Sequence, residues 1–116
     1  PEEYTGNYID EGVDTFSLGN NLYCLLTGLW PFYPFDNYQY IQNKLLHRER
    51  AYIDPRWRRR SFIEHQLVEI MEQTWEHDPT LRISIFQVVD FLKETKKTYE
   101  EHERQKREGM QKNKRI

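Results

Sequence analysis

The 116-residue chain has a single cysteine, no Asn-x-Ser/Thr sequon and no long uninterrupted apolar run. Each absence closes a class. Cys24 alone cannot form an intramolecular disulfide, so neither a disulfide-stapled scaffold nor an oxidising compartment is indicated. The most apolar stretch, "LYCLLTGLWPFYPF", is broken by Gly28, Pro31 and Pro34 and falls short of the roughly 20 apolar residues that a bilayer core requires. No signal-like segment precedes it, and the expectation is an intracellular, cytoplasmic protein. Aliphatics are also sparse. Hydrophobic residues make up 37% of the chain but aromatics 15%, so the core is expected to rest on a few large rings, and disorder is disfavoured. At this length one domain with a modest core is the limit. Net charge is −2. Residues 1–92 hold eight Lys/Arg against fourteen Asp/Glu, while residues 93–116 hold nine against five. The body is acidic and the tail basic.

What is present is helical periodicity. In "DTFSLGNNLYCLLTG", apolar residues from Phe16 to Leu29 occur almost all round a helix, which predicts a buried central element. Asp14 stands where an N-cap belongs and Gly28 near the stop. "WPFYPF" ends that helix. Tyr38, Ile41, Leu45 and Leu46 recur at three- and four-residue steps and predict a second helix over 37–46. "RERAYIDPRWRRRS" reads as a long polar connection. Phe62, Ile63, Leu67, Ile70, Met71 and Trp75 form one stripe of a third helix closed by "HDPT". Ile85, Phe86, Val88, Val89, Phe91 and Leu92 open a fourth, whose apolar face fades by Tyr99. The tail lacks an apolar heptad, and its helix is expected to fray after Gly109. No repeat or convincing strand pattern occurs. The expected fold class is all-α, with about four helices.

Two patterns carry a family resemblance. "VDTFSLGNNLYCLLTGLWPF" resembles the central helix of the large lobe of eukaryotic protein kinases: Asp, any residue, an aromatic, Ser/Ala, any residue, Gly, then an apolar helix and Gly-x-x-Pro-Phe. "WEHDPTLRIS" resembles the later Trp-x-x-Asp-Pro-x-x-Arg-Pro segment of tyrosine kinases and tyrosine-kinase-like enzymes. "PEE" looks like the end of the Ala-Pro-Glu motif, and "KLLHRERAYIDPRW" like the helix and loop between the two anchors. The likeness covers residues 1–95 in collinear order, and residues 1–98 are read as the C-terminal segment of a kinase domain, followed by a charged tail over 99–116. It implies a chain cut at the Ala-Pro-Glu motif, without the Gly-rich loop, the β3 lysine, the catalytic-loop Asp and Asn, or the Asp-Phe-Gly aspartate. No catalytic, cofactor-binding or metal-ligating residue is therefore expected in this segment. ATP and Mg²⁺ are implied only for a complete parent.

By the same resemblance, Glu2 and Arg82 form a buried ion pair tying the activation segment to the helical lobe. Asp14 anchors the catalytic loop in a longer parent and caps the helix here. Phe16, Gly19, Trp75 and Pro79 complete the structural set. Some residues depart from the family pattern: Phe16 stands where Trp is frequent, Cys24 where many members carry Glu, His47 for a glycine and Ile83 for a proline. Asn20 and Asn21 put amides, which need partners when buried, in a helix that is usually apolar there.

Other candidate sites are weak. Cys24 and the four histidines lack metal-ligand spacing, and a cysteine in an apolar helix is ordinarily inert core. Arg56 to Arg60 with Trp57 could meet phosphates, but the acidic body argues against nucleic acid and for a solvated linker. Ser61 fits either a basic-directed phosphorylation site or, more simply, a helix N-cap. The expected partners are the missing lobe and catalytic loop, with protein substrates or regulators meeting residues 37–60; no membrane or nucleic-acid partner is expected. The leading expectation is a structural and substrate-docking segment of a Ser/Thr or Tyr kinase, not catalytic by itself. The alternative is a pseudokinase-derived interaction module. An isolated segment should expose a large apolar patch and fold marginally.

Overall fold

A computed structural model describes residue 1 and residues 12–114. Five helices occur among the described residues, and no strand: α1 (Gly12–Thr27), α2 (Tyr38–Leu46), α3 (Trp57–Arg60), α4 (Phe62–Thr74) and α5 (Ile85–Lys114). The chain is all-helical. Its boundaries have local causes. Gly28, just past α1, takes φ +75°, a conformation that only glycine adopts without strain. Asn37 caps α2, its side chain accepting the Tyr40 N–H at 3.0 Å. Ser61 caps α4 by accepting the Glu64 N–H at 3.1 Å. The cap reading of Ser61 therefore matches its geometry.

Two Asp-Pro turns shape the connections. Asp54 Oδ1 accepts the Arg56 N–H and Asp78 Oδ1 the Thr80 N–H, each at 2.9 Å. Proline at the second turn position, Pro55 or Pro79, presets φ for the bend. The chain then reverses, with Trp57 N–H reaching Asp54 O at 3.0 Å and Leu81 N–H reaching Asp78 O at 3.0 Å.

The core lies where α1 and α3 pack against α4. Val68, Ile70 and Met71 of α4 are fully buried, and Phe16, Leu22, Tyr23, Leu45, Trp75 and Val88 close round them. Tyr23 bridges the layers: its ring meets Trp75 at 5.8 Å and Trp57 at 6.0 Å, and its hydroxyl donates to Tyr52 O at 2.9 Å. Burial pushes that phenol's pKa up.

Four expectations are corrected. The first is that α1 is not buried all round, because Leu25 is 81% exposed and Cys24 is exposed rather than core. One of its faces has no helix behind it among the described residues. Second, Asp14 lies in the first turn of α1 rather than before it, because the helix begins at Gly12. Third, residues 56–60 are no solvated linker. Trp57 is half-buried on the Tyr23 ring, and Arg58 bridges α3 to α4 through Glu69 and Glu72, both at 2.6 Å. Fourth, α5 does not fray at Gly109 but runs to Lys114. Pairs such as Lys96–Glu100 and Lys106–Glu103 support it along its exposed side.

Candidate functional site

Arg82 organises the junction between the start of α1 and the turn after α4. It is 7% exposed, and a buried guanidinium must have its donors occupied. Nε donates to Glu76 O at 2.8 Å, Nη1 to Gly12 O at 2.6 Å and Nη2 to His77 O at 3.2 Å. Its carbon lies 5.1 Å from the Phe16 ring centroid, and Arg50 approaches the same ring at 5.2 Å. Two cations thus approach one aromatic ring, and its quadrupole favours each contact.

Gly19 sits where α1 presses on the end of α4. A side chain there would place its first carbon 2.0 Å from Thr74 Oγ1 and 3.0 Å from Trp75 Nε1. Glycine is required by that approach. At the next residue, Trp75 Nε1 donates to Asn20 Oδ1 at 2.9 Å, which supplies the partner that a partly buried amide on α1 needs.

Of the residues that the sequence singles out, Arg82, Phe16, Gly19 and Trp75 converge on this junction. Pro79 shapes the turn that carries Arg82. Asp14 is exposed, and its side chain makes no hydrogen bond or ion pair among the described residues. Glu2, the other half of the expected ion pair, lies outside the described residues.

Sequence reasoning missed the neighbouring cleft. Arg48, Arg50, Ile53, Trp75 and His77 line it together with Glu72 and Glu76, and its volume is about 350 Å³. His77 Nδ1 is buried there with no hydrogen-bond partner. Burial first, then the Arg48 and Arg50 charges, push the imidazole pKa down. The only signal for this in the sequence is two arginines on a loop that ends a helix. A second, smaller hollow of about 220 Å³ is lined by Phe32, Tyr33, Phe35, Tyr40 and Tyr52 with Lys44, Glu49 and Arg50. It lies within and beside the 37–60 region expected to meet partners.

No group of three or more His, Cys, Asp or Glu that could hold a metal ion occurs among the described residues. No helix there is long and apolar enough to cross a membrane. No protein-family model matches the chain, and no curated protein matches it.

Proposed function

We propose that this chain is the C-terminal segment of the large lobe of a protein kinase domain, a structural and substrate-docking part that is not catalytic by itself. The parent activity on this reading is phosphoryl transfer from ATP, with Mg²⁺, to a Ser/Thr or Tyr hydroxyl inside the cell. One observation carries it. A buried Arg82, on the segment that follows the Asp-Pro turn, holds the Gly12 carbonyl at the start of α1. Arg82 is the residue that the resemblance assigns to an ion pair with Glu2, and its bond to the Gly12 carbonyl, at the edge of the other motif, supports the reading. Gly19 against Thr74 and Trp75 is a second point of agreement.

The test is the reading frame upstream of the Pro1 codon. A continuous frame encoding a β3-type lysine, a catalytic-loop aspartate and an Asp-Phe-Gly aspartate supports the reading, and the protein so encoded should transfer the γ-phosphoryl of ATP to a protein substrate. A frame without them removes the kinase activity and leaves the second reading, a kinase-derived interaction module. The exposed rings favour that reading's partner-binding role: Trp30, Tyr33, Phe35 and Tyr38 are each about half exposed or more, next to the smaller hollow.

A further inference from the structure

The loop after α2 and the end of α4 face each other across the 350 Å³ cleft, and three features of its wall are unexplained by packing. Arg48 takes φ +65°, the left-handed conformation in which a helix terminator is ordinarily glycine. The terminator is fully formed, with Arg48 N–H on Leu45 O at 3.1 Å and Glu49 N–H on Lys44 O at 2.9 Å. A glycine would serve it with less strain. Yet the position carries a guanidinium, and that group makes no hydrogen bond or ion pair among the described residues. The second feature is Arg50, which is clamped by its Nε on Trp75 O at 2.8 Å and its Nη1 on Glu49 O at 2.9 Å. This leaves Nη2 without a partner among the described residues. The third is the buried and unpartnered His77 Nδ1.

Two carboxylates also line the cleft. Glu72 shares Arg58 with Glu69, each at 2.6 Å, so its charge is partly matched. Among the described residues, Glu76 accepts the Asp78 N–H at 3.4 Å. Arg48 and Arg50, with Arg82 behind them on the His77 carbonyl at 3.2 Å, outnumber these two carboxylates, and the field that they set up favours an anion.

We propose that this cleft binds a phosphate monoester, with the phosphate oxygens accepting from Arg48 and from Nη2 of Arg50, the His77 ring beside them and the esterified group lying on Ile53 and Trp75. Two guanidiniums from separate residues suit a dianion with three acceptor oxygens, whereas a carboxylate is satisfied by a single guanidinium fork. The volume exceeds what a phosphate group alone would fill, and the remainder has an apolar floor. The proposal does not rest on the kinase reading: Arg48, Arg50, Ile53 and His77 lie within segments that carry the resemblance, but at positions that its motifs leave open.

The test uses the full chain, following the Trp75 indole and His77 ring signals by heteronuclear NMR. Phenyl phosphate is expected to shift both saturably. Inorganic phosphate should move His77 more weakly and leave the indole nearly unmoved. A short phosphoserine peptide separates the sources: binding at least as tight as that of phenyl phosphate assigns the site to a phosphorylated protein, and its exclusion assigns it to a small ester. Arg48→Gly relieves the backbone, so it should melt no lower than the parent while weakening binding by about tenfold or more, the loss of a charge-assisted contact. The proposal is overturned by unchanged affinity in Arg48→Gly, by shifts that sodium chloride reproduces at matched ionic strength, or by the absence of any saturable shift with phenyl phosphate.

Discussion

Arg82 shows how much one side chain can hold. Its guanidinium binds the carbonyls of Gly12, Glu76 and His77, groups that would otherwise lie in a poorly hydrated junction. Arg82→Ala is expected to cost about 3 kcal/mol, within the range for hydrogen bonds to a buried charge. Urea denaturation measures it. Arg82→Lys should recover little, because an ammonium cannot serve three carbonyls in a plane while stacked on Phe16. Gly19→Ala drives a carbon into Thr74 and should cost about 1–3 kcal/mol, as overpacking does. The clash is local. Gly19→Ala combined with Thr74→Ala should therefore lose less than the sum of the two single changes, a coupling that a double-mutant cycle isolates.

Asp54 gives a pH signature at the same scale. Hydrogen bonds from the Arg56 side chain and backbone hold its pKa down at about 2, below the ordinary 3.8 of an aspartate. A carboxyl more acidic when folded than unfolded contributes its full stability above the unfolded value and loses it as pH falls through the folded one. The chain should lose stability between about pH 4 and pH 2 for this reason. In Asp54→Asn that part of the slope should vanish, which denaturation at a series of pH values would reveal.

At the scale of the element, the helices were legible because each carries its own apolar stripe and punctuation. Ser61, Asn37 and Gly28 are cap residues by chemistry, and they stand at helix ends in the fold. What was not legible lacked such marks. The α3 turn is held by Arg58 reaching across to Glu69 and Glu72, long-range pairs that no local period announces. Arg48 terminates α2 in a conformation that its side chain disfavours, so the usual glycine signal was absent. The far half of α5 is supported by charges, which a search for apolar repeats passes over. His102, packed on the Phe62 ring at 5.5 Å, extends the folded body about one turn beyond residue 98. The remainder of α5 is a free helix with a glycine in it. Gly109→Ala should raise its helicity by about 1 kcal/mol of local propensity, readable as slower amide exchange over residues 104–111 with no change in global melting.

Across the whole molecule, the candidate site was half legible. Arg82, Phe16, Gly19 and Trp75 meet at one junction, but the sequence could not bring Arg48 and Arg50 to His77, because that proximity arises only when the α2 and α4 ends pack. The Cα radius of gyration is 17.9 Å, against roughly 13 Å for a compact chain of this length. Leu25 at 81% exposure and the aromatic loop beside it form an uncovered apolar surface of the kind that drives association. Leu25→Glu is expected to leave the melting temperature nearly unchanged while reducing self-association and dye binding, as seen by size-exclusion chromatography and by fluorescence of a hydrophobic probe.

The described body measures 66 × 30 × 16 Å along its principal axes. Its interior is the single layer of side chains where α1 and α3 meet α4, with Val68, Ile70 and Met71 fully buried. A companion covering the bare face of α1 would add a second layer, so the fraction folded should follow its concentration as RT ln(1 + [L]/Kd). Thermal stability then becomes an assay for partners: a lobe, peptide or second protein that belongs on this face should announce itself as a concentration-dependent rise in melting temperature before any activity is known.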